Sequence, residues 1–240
     1  MLRLITIPIS HYCEKARWAL DRAGLAYVEE PHVQGLHRLA ARRAGGGSTV
    51  PVLVTADGVF ASSEWILRYA DASLFPSPEV TEFCRRLDAG LGPDARRLIY
   101  KHMLPRKRLM LPYNNQGVPG WEARALSALY PVAVRWASRE LGLTAADDAP
   151  LVFACFDAVA ERLGSGQFLF EDRFTAADLT FACLAAAVVL PPEYGVKLPQ
   201  ELPAAVARDV EAFRAHPAGA FALRLFRELR YSSADGGSGG

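Results

Sequence analysis

The stretch "ITIPISHYCEKARWAL" (residues 5–20) joins an apolar run to a helical pattern through a turn that carries Ser10 and Cys13. Residues 2–7 are almost all apolar, which predicts a strand covered on both faces. After Ser10, alanines and leucines recur at helical spacing until Gly24, where a helix C-cap is expected. The stretch therefore predicts a strand, a turn and a helix. Ser10 and Cys13 have the spacing of a redox C-x-x-C motif, with a hydroxyl in place of the first sulfur.

The residues that follow extend this unit into a small α/β domain. A short strand at 26–28 completes a right-handed β-α-β unit, and residues 32–44 have a weak helical pattern. Strands at 52–54 and 59–61 are joined through Asp57-Gly58, a strong hairpin signal. A last helix, capped by Ser62 or Ser63, runs to about residue 69. The predicted order is β-α-β-α-β-β-α over residues 1–75.

The rest of the chain is predicted to be an all-α helical bundle over residues 79–231. The segment "DASLFPSPE" (71–79) has the prolines of a linker, and Pro131 is expected to kink or end a helix. The most apolar stretch, "LTFACLAAAVVL" (179–190), is shorter than the roughly 20 residues of a membrane span, so it predicts a buried core helix. Residues 232–240 are rich in Gly and Ser and predict a flexible tail.

Charge and cysteine content exclude several classes of function. The 27 Lys and Arg residues are balanced by 26 Asp and Glu, so no overall field favours nucleic acid or an anionic membrane as partner. The four cysteines are far apart in sequence and form no pattern typical of a metal site. Residues 1–9 predict a strand and not a secretory signal, so we expect free thiols and a cytoplasmic protein.

Four local features carry a resemblance to a known family. They are the Ser10-x-x-Cys13 turn, the Val50-Pro51 pair, the Ser62-Ser63 cap and "FTAADLTFA" (174–182). With them the chain resembles a cytosolic glutathione S-transferase over residues 1–230, with a thioredoxin-like domain followed by a helical domain. The resemblance implies glutathione as co-substrate, a small electrophilic molecule as second substrate, a homodimer and a role in detoxification.

Within this resemblance Ser10 corresponds to a serine that donates a hydrogen bond to the glutathione sulfur and favours the thiolate. The simpler interpretation of Ser10 is a helix N-cap. Cys13 corresponds to the second, more buried position of C-x-x-C, which favours a spectator thiol. A thiol near a helix N-terminus can instead form a mixed disulfide with glutathione, and Cys13 would then be the catalytic residue.

The resemblance also implies a set of glutathione-binding residues. Pro51 is expected to follow a cis peptide bond, so that the backbone of Val50 can pair with the cysteinyl part of glutathione. Ser63 is expected to bind the γ-glutamyl carboxylate at a helix N-terminus. Ser62 stands where the family commonly has Glu or Gln, which predicts altered recognition of this group. His11 is a further candidate for glutathione contact.

The second-substrate pocket is expected to contain Tyr100, Met103 and Tyr113, although residues of this type at helical spacing are also common in a core. These three lie in a cluster rich in Arg and Lys (residues 96–115), and most of its basic side chains are expected to form a solvated helix face. A basic pocket wall would favour an acidic electrophile. Thr175 and Asp178 form a predicted capping box with a role in folding.

Three functions remain open at this point. The first is a glutathione S-transferase that uses Ser10 and attacks an apolar or aromatic electrophile. The second is a glutathione-dependent thioltransferase or reductase that uses Cys13. The third is a non-catalytic binding module, for which Ser62 and the unusual loop "RRAGGGSTVP" (42–51) are the motivating features.

Overall fold

A four-stranded mixed sheet forms the first part of the computed structural model, which describes residues 1–144, 148–170 and 172–232. The strands lie in the order β2-β1-β3-β4, and β1 pairs parallel with β2 and antiparallel with β3. Their bounds are β1 (Leu2–Thr6), β2 (Tyr27–Pro31), β3 (Val52–Val54) and β4 (Val59–Phe60). Leu4 and Ile5 of β1 are at most 1% exposed, which confirms a strand covered on both faces.

Three helices complete this domain: α1 (His11–Arg22), α2 (His37–Arg43) and α3 (Ser63–Ala70). The predicted order β-α-β-α-β-β-α is confirmed. The bounds differ around β2, which runs to Pro31 and not to residue 28, and α2 begins at His37 and not at residue 32. The later start of α2 follows Gly35, whose φ of +94° lies outside the right-handed helical region. The N–H of Val33, in the same segment, donates to Oε2 of Glu122 at 3.0 Å.

The second domain is helical throughout the described residues, as predicted. Gly90 separates α4 from α5, and Pro131 stands in the first turn of α8, directly after α7 ends. The helices are α4 (Pro78–Ala89), α5 (Leu91–Met103), α6 (Lys107–Asn114), α7 (Gly120–Ala128), α8 (Tyr130–Glu140), α9 (Ala149–Leu163), α10 (Ala176–Val189), α11 (Ala204–Ala215) and α12 (Pro217–Leu229). Pro78 belongs to α4, whose N-cap is Ser77, so the predicted linker is shorter than its prolines indicate.

Helix α10 is the centre of the helical domain. Its described side chains are buried from end to end except Ala187, which confirms the predicted core helix. Its start is fixed by the predicted capping box, since Thr175 and Asp178 bond reciprocally to each other's backbone groups. In the part of the chain that the structure describes, no helix is both long and apolar enough to cross a membrane.

Helix α1 docks the two domains together. The Tyr12 hydroxyl donates to the Asp88 carbonyl at 2.8 Å, and Lys15 Nζ donates to both Asp88 carboxylate oxygens at 2.8 and 2.9 Å. Close approach depends on Gly92, where an added Cβ would lie 2.2 Å from the Tyr12 oxygen. The first turn of α1 therefore lies directly against α5.

A buried ion network joins α1 to the residue that follows α12. Glu14 is fully buried, and its Oε1 accepts from Arg230 Nε at 2.7 Å and from the N–H of Gly195 at 3.1 Å. Arg17 donates to the other oxygen of Glu14 at 3.2 Å, and Arg230 also pairs with Asp21 at 2.8 Å. Of the predicted flexible tail, all but Ser232 lies outside the described residues.

Candidate functional site

A cavity of about 340 Å³ lies between the two domains. Its floor is the β1–α1 turn, the start of α2 and the approach to β3, and its walls are the inner faces of α5 to α8 and α10. The predicted site residues that line it are Ser10, His11, Val50, Tyr100, Met103 and Tyr113. The remaining four, which do not line it, are Cys13, Pro51, Ser62 and Ser63.

Ser10 caps α1 and also faces the cavity. Its Oγ accepts from the N–H of Cys13 at 3.4 Å, which is the geometry of an N-cap. A serine hydroxyl has two acceptor positions and one proton to donate, so capping leaves that proton available. The two interpretations of Ser10 are therefore compatible, because the same oxygen can hold the helix end and donate to a bound sulfur.

Cys13 points into the core. It has no exposed surface, and burial raises the pKa of its thiol, opposed by the nearby Arg17 charge and by hydrogen bonds to Ser10 and Ile7. A thiol in such a place is kept protonated and shielded from substrate. The structure thus separates the two positions of the S-x-x-C turn, with the hydroxyl at the cavity and the sulfur behind it.

The Val50–Pro51 peptide bond is cis, which confirms the prediction. Val50 lines the cavity and Pro51 is buried beneath it. Among the hydrogen bonds of the described residues, none uses the backbone N–H or C=O of Val50. Both groups can therefore pair with an extended peptide laid along this edge.

The N-terminus of α3 is arranged by the serine pair. Ser62 is the N-cap, and its Oγ accepts from the N–H of Trp65 at 3.3 Å. Ser63 is the first helical residue and is 7% exposed. Its N–H is one of those that a helix leaves without an intrahelical acceptor. Neither serine is among the residues that line the interdomain cavity.

The α5 wall of the cavity contains one charged residue that we did not predict to be in the site. Arg96 lies one helical turn before Tyr100, so the two side chains share a face of α5 and both line the cavity. The i, i+4 spacing from Tyr100 is the sequence signal that could have identified it. In sequence, Arg96 is one of seven basic residues of this cluster, most of which are expected to be solvated.

Two histidines line the cavity in uncharged form. Burial, with the charges of Arg96 and Lys15, lowers the pKa of His11 to about 3, and burial with the charge of Arg38 lowers the pKa of His37 to about 4. Tyr100 is affected in the opposite sense, because burial raises its pKa to about 12. At neutral pH these three groups are therefore polar but carry no charge.

The histidines predict how stability depends on pH. Both pKa values are lower in the folded protein than in the unfolded chain, so their contribution is complete above about pH 6.5 and is lost as the pH falls toward 4. Each should remove up to about 1.4 kcal/mol of unfolding free energy per pH unit in this window. Urea unfolding of the His37→Asn variant should show a smaller slope against pH. An unchanged slope, equal to that of a His102→Asn control outside the cavity, would contradict this assignment.

A second hollow, of about 580 Å³, opens between α3 and α4. None of the predicted site residues lines it. Its two arginines, Arg68 and Arg85, both pair with Glu64, at 3.2 and 3.1 Å. The interdomain cavity, which holds Ser10 and Val50, is therefore the candidate active site.

Comparison with known proteins agrees with this fold. The family model for the glutathione S-transferase N-terminal domain matches residues 4–78, and the model for the C-terminal domain matches residues 144–208. No curated protein matches the chain by sequence. Solved structures do match over most of their length.

Three of these structures illustrate how similar the matches are. A glutathione transferase of Phanerochaete chrysosporium is 17% identical, with 98% of each chain covered and a TM-score of 0.64. A glutathione S-transferase of Ceriporiopsis subvermispora, solved with glutathione, is 16% identical, with 98% of this chain and 99% of that chain covered and a TM-score of 0.57. A glutathione S-transferase of Methylobacterium radiotolerans, in complex with glutathione sulfonate, is 18% identical. The match covers 92% of this chain and 94% of that chain, with a TM-score of 0.50.

Proposed function

The chain belongs to the glutathione S-transferase family, and from that premise we propose that it activates glutathione as a thiolate for attack on a small electrophile. Ser10 donates a hydrogen bond to the glutathione sulfur. Val50 pairs through its backbone with the cysteinyl part, and the N-terminus of α3 at Ser63 receives the γ-glutamyl carboxylate. Glutathione is a co-substrate that is consumed and not a resident cofactor.

The observation that supports this proposal best is the position of Ser10. Its hydroxyl lies at the N-terminus of α1 and faces the same cavity as Val50, with a proton left to donate. A free thiol has a pKa of about 8.5, and a donor at a helix N-terminus lowers it. The thiol proton passes to solvent, and the thiolate sulfur forms a bond to an electrophilic carbon. Either a leaving group departs with the displaced electron pair, or water returns a proton to the adduct.

The titration of bound glutathione tests this function. The ultraviolet absorbance of the thiolate, followed across pH, should show a lowered thiol pKa in the unmodified protein. In Ser10→Ala that pKa should return toward about 8.5. We expect kcat/KM for conjugation to fall about 10–100-fold, since a hydrogen bond to a charged group is lost. Binding with an unshifted thiol would contradict thiolate activation, and no binding at millimolar glutathione would favour the binding module.

The Cys13→Ala variant separates the alternatives. Cys13 is buried and its thiol pKa is raised, so the variant should keep both the lowered thiol pKa of glutathione and the conjugation rate. A loss of glutathione-dependent disulfide reduction in this variant, with Ser10→Ala unaffected, would instead support a thioltransferase.

We extend three further predictions from the family. A homodimer is supported by apolar side chains that are exposed on the first domain, Val59 at 40% and Trp65 at 57%. Light scattering in solution tests it. We also propose a cytoplasmic location, which the free cysteines support, and a role in detoxification, which is extended from the family alone.

A further inference from the structure

Helix α5 carries two neighbouring arginines in different situations. Arg97 pairs with Asp94 and, at 2.9 Å, with Asp148, so its charge is matched. Arg96 faces the cavity, and within the described residues it has no ion pair. Its Nε is buried and has no hydrogen-bond partner among them. The fold therefore places one unmatched positive charge on the wall of the cavity.

A second polar group without a partner lies at the same cavity. The His11 side chain is 5% exposed, and its Nε2 is buried with no hydrogen-bond partner in the described part of the chain. Arg96 and His11 are close enough for the charge of the first to act on the ring of the second. A buried polar atom without a partner costs free energy, so a ligand group that bonds to Arg96 and His11 from this cavity would relieve that cost.

The acidic side chain at this cavity already has an ion-pair partner. Glu140 is the one acidic residue among the described residues of its lining, and it pairs with Arg38 at 2.5 Å. The rest of the α5 to α8 wall is mostly apolar, as with Ile99, Met103 and Leu126. A ligand that matches this wall has an apolar or aromatic body and one anionic group.

We propose that Arg96 and His11 form a subsite for the carboxylate of the second substrate, so that the electrophile is an apolar or aromatic acid. Arg96 supplies the charge and two or more N–H donors in a planar fork, which matches the geometry of a carboxylate. His11 supplies one hydrogen bond from an uncharged ring. The assignment of this carboxylate to an electrophile rests on the proposed transferase function.

Glutathione itself has two carboxylates, and either of them could in principle pair with Arg96 as the carboxylate of the second substrate does. Val50 and Ser63, the proposed contacts of glutathione, belong to the first domain, whereas Arg96 belongs to α5 of the second. We therefore assign the anion at Arg96 to the second substrate. The test below measures both ligands separately.

Binding of an unreactive pair of compounds tests the subsite without any chemistry at sulfur. Calorimetry with 4-phenylbutanoate and 4-phenylbutanamide, with and without glutathione, should show that the acid binds at least about 10-fold more tightly. Arg96→Gln should weaken the acid about 10–100-fold and leave the amide and glutathione unchanged. Arg96→Lys should keep part of the preference for the acid. His11→Phe should weaken the acid about 3–10-fold, the value of an uncharged hydrogen bond.

The control is Arg108→Gln, which removes the same charge from an exposed residue of α6 that does not line the cavity. It should leave the affinity for the acid unchanged. An equal loss in this control, or an equal loss for acid and amide in Arg96→Gln, would overturn the proposal. So would weaker glutathione binding with unchanged affinity for the acid. An unshifted thiol pKa in the Ser10 titration would refute thiolate activation while leaving this binding result intact, so the two failures are distinguishable.

Discussion

Replacing Arg230 with methionine is expected to lower the free energy of unfolding by about 3–5 kcal/mol, the cost of leaving one member of a buried ion pair without its partner. Arg230 is 2% exposed and donates to the fully buried Glu14 at 2.7 Å. Burial alone would lower the pKa of Arg230, but the carboxylates of Glu14 and Asp21 raise it above its usual value. Methionine keeps most of the side-chain volume, so the decrease in unfolding free energy reports the lost charge and hydrogen bonds of Arg230.

Guanidinium unfolding followed by tryptophan fluorescence measures this effect, with Trp18 as a local reporter 5.8 Å from the Arg230 guanidinium. The matched control is Arg227→Met, which removes an exposed arginine from the last turn of α12, three positions before Arg230, and should change stability little. In the double variant Glu14→Gln/Arg230→Met the loss should be smaller than the sum of the single losses, because each single change leaves the other group unpaired. Additive losses would show that the two residues act independently.

Replacing Asp178 with asparagine should cost about 2–4 kcal/mol, the combined value of a lost N-cap interaction and a buried donor without an acceptor. One oxygen of Asp178 accepts from the N–H of Leu169 at 2.8 Å, and the other accepts from the N–H and the hydroxyl of Thr175, each at 2.8 Å. Asparagine has the same shape but only one acceptor oxygen. Its amide must face either Leu169 or Thr175, and the donors there lose their partner.

Chemical denaturation measures the loss, and amide hydrogen exchange at Leu169 and Thr175 locates it. Asp172→Asn is the control, since Asp172 is exposed in the loop that precedes α10. A loss no larger than in this control would contradict a structural role for the Asp178 carboxylate. Faster exchange at the backbone N–H of Leu169 or of Thr175, but not of both, would show which of the two faces the side-chain NH2 of the asparagine.

Features encoded within a few residues could be predicted from the sequence. The S-x-x-C turn, the Asp57-Gly58 hairpin and the Thr175-Asp178 capping box each contain their whole signal, and all three are present as predicted. The helical phase of α1 also places Cys13 with Ala16 and Leu20, three side chains without exposed surface, which agrees with a spectator thiol.

Features that depend on contacts between the domains could not be predicted. Arg96 belongs to a cluster of cations that are alike in sequence, and its place at the cavity follows from the docking of α1 on α5, where Tyr12 packs against Gly92. The docking contact has no local pattern, so the i, i+4 spacing of Arg96 from Tyr100 becomes informative only once Tyr100 is known to line the cavity. The late start of α2 has a local signal instead, because Gly35 has a φ of +94°.

The pairing of Glu14 with both Arg17 and Arg230 sets an order of events during synthesis on the ribosome. Arg17 is three positions away and is available as soon as α1 emerges, whereas Arg230 follows Glu14 by 216 positions. At translation rates of about 5–20 residues per second, the second partner arrives roughly 10–40 s after the first. Until then Glu14 has only one of its two arginine partners, so the first domain reaches full stability only after the second has been made.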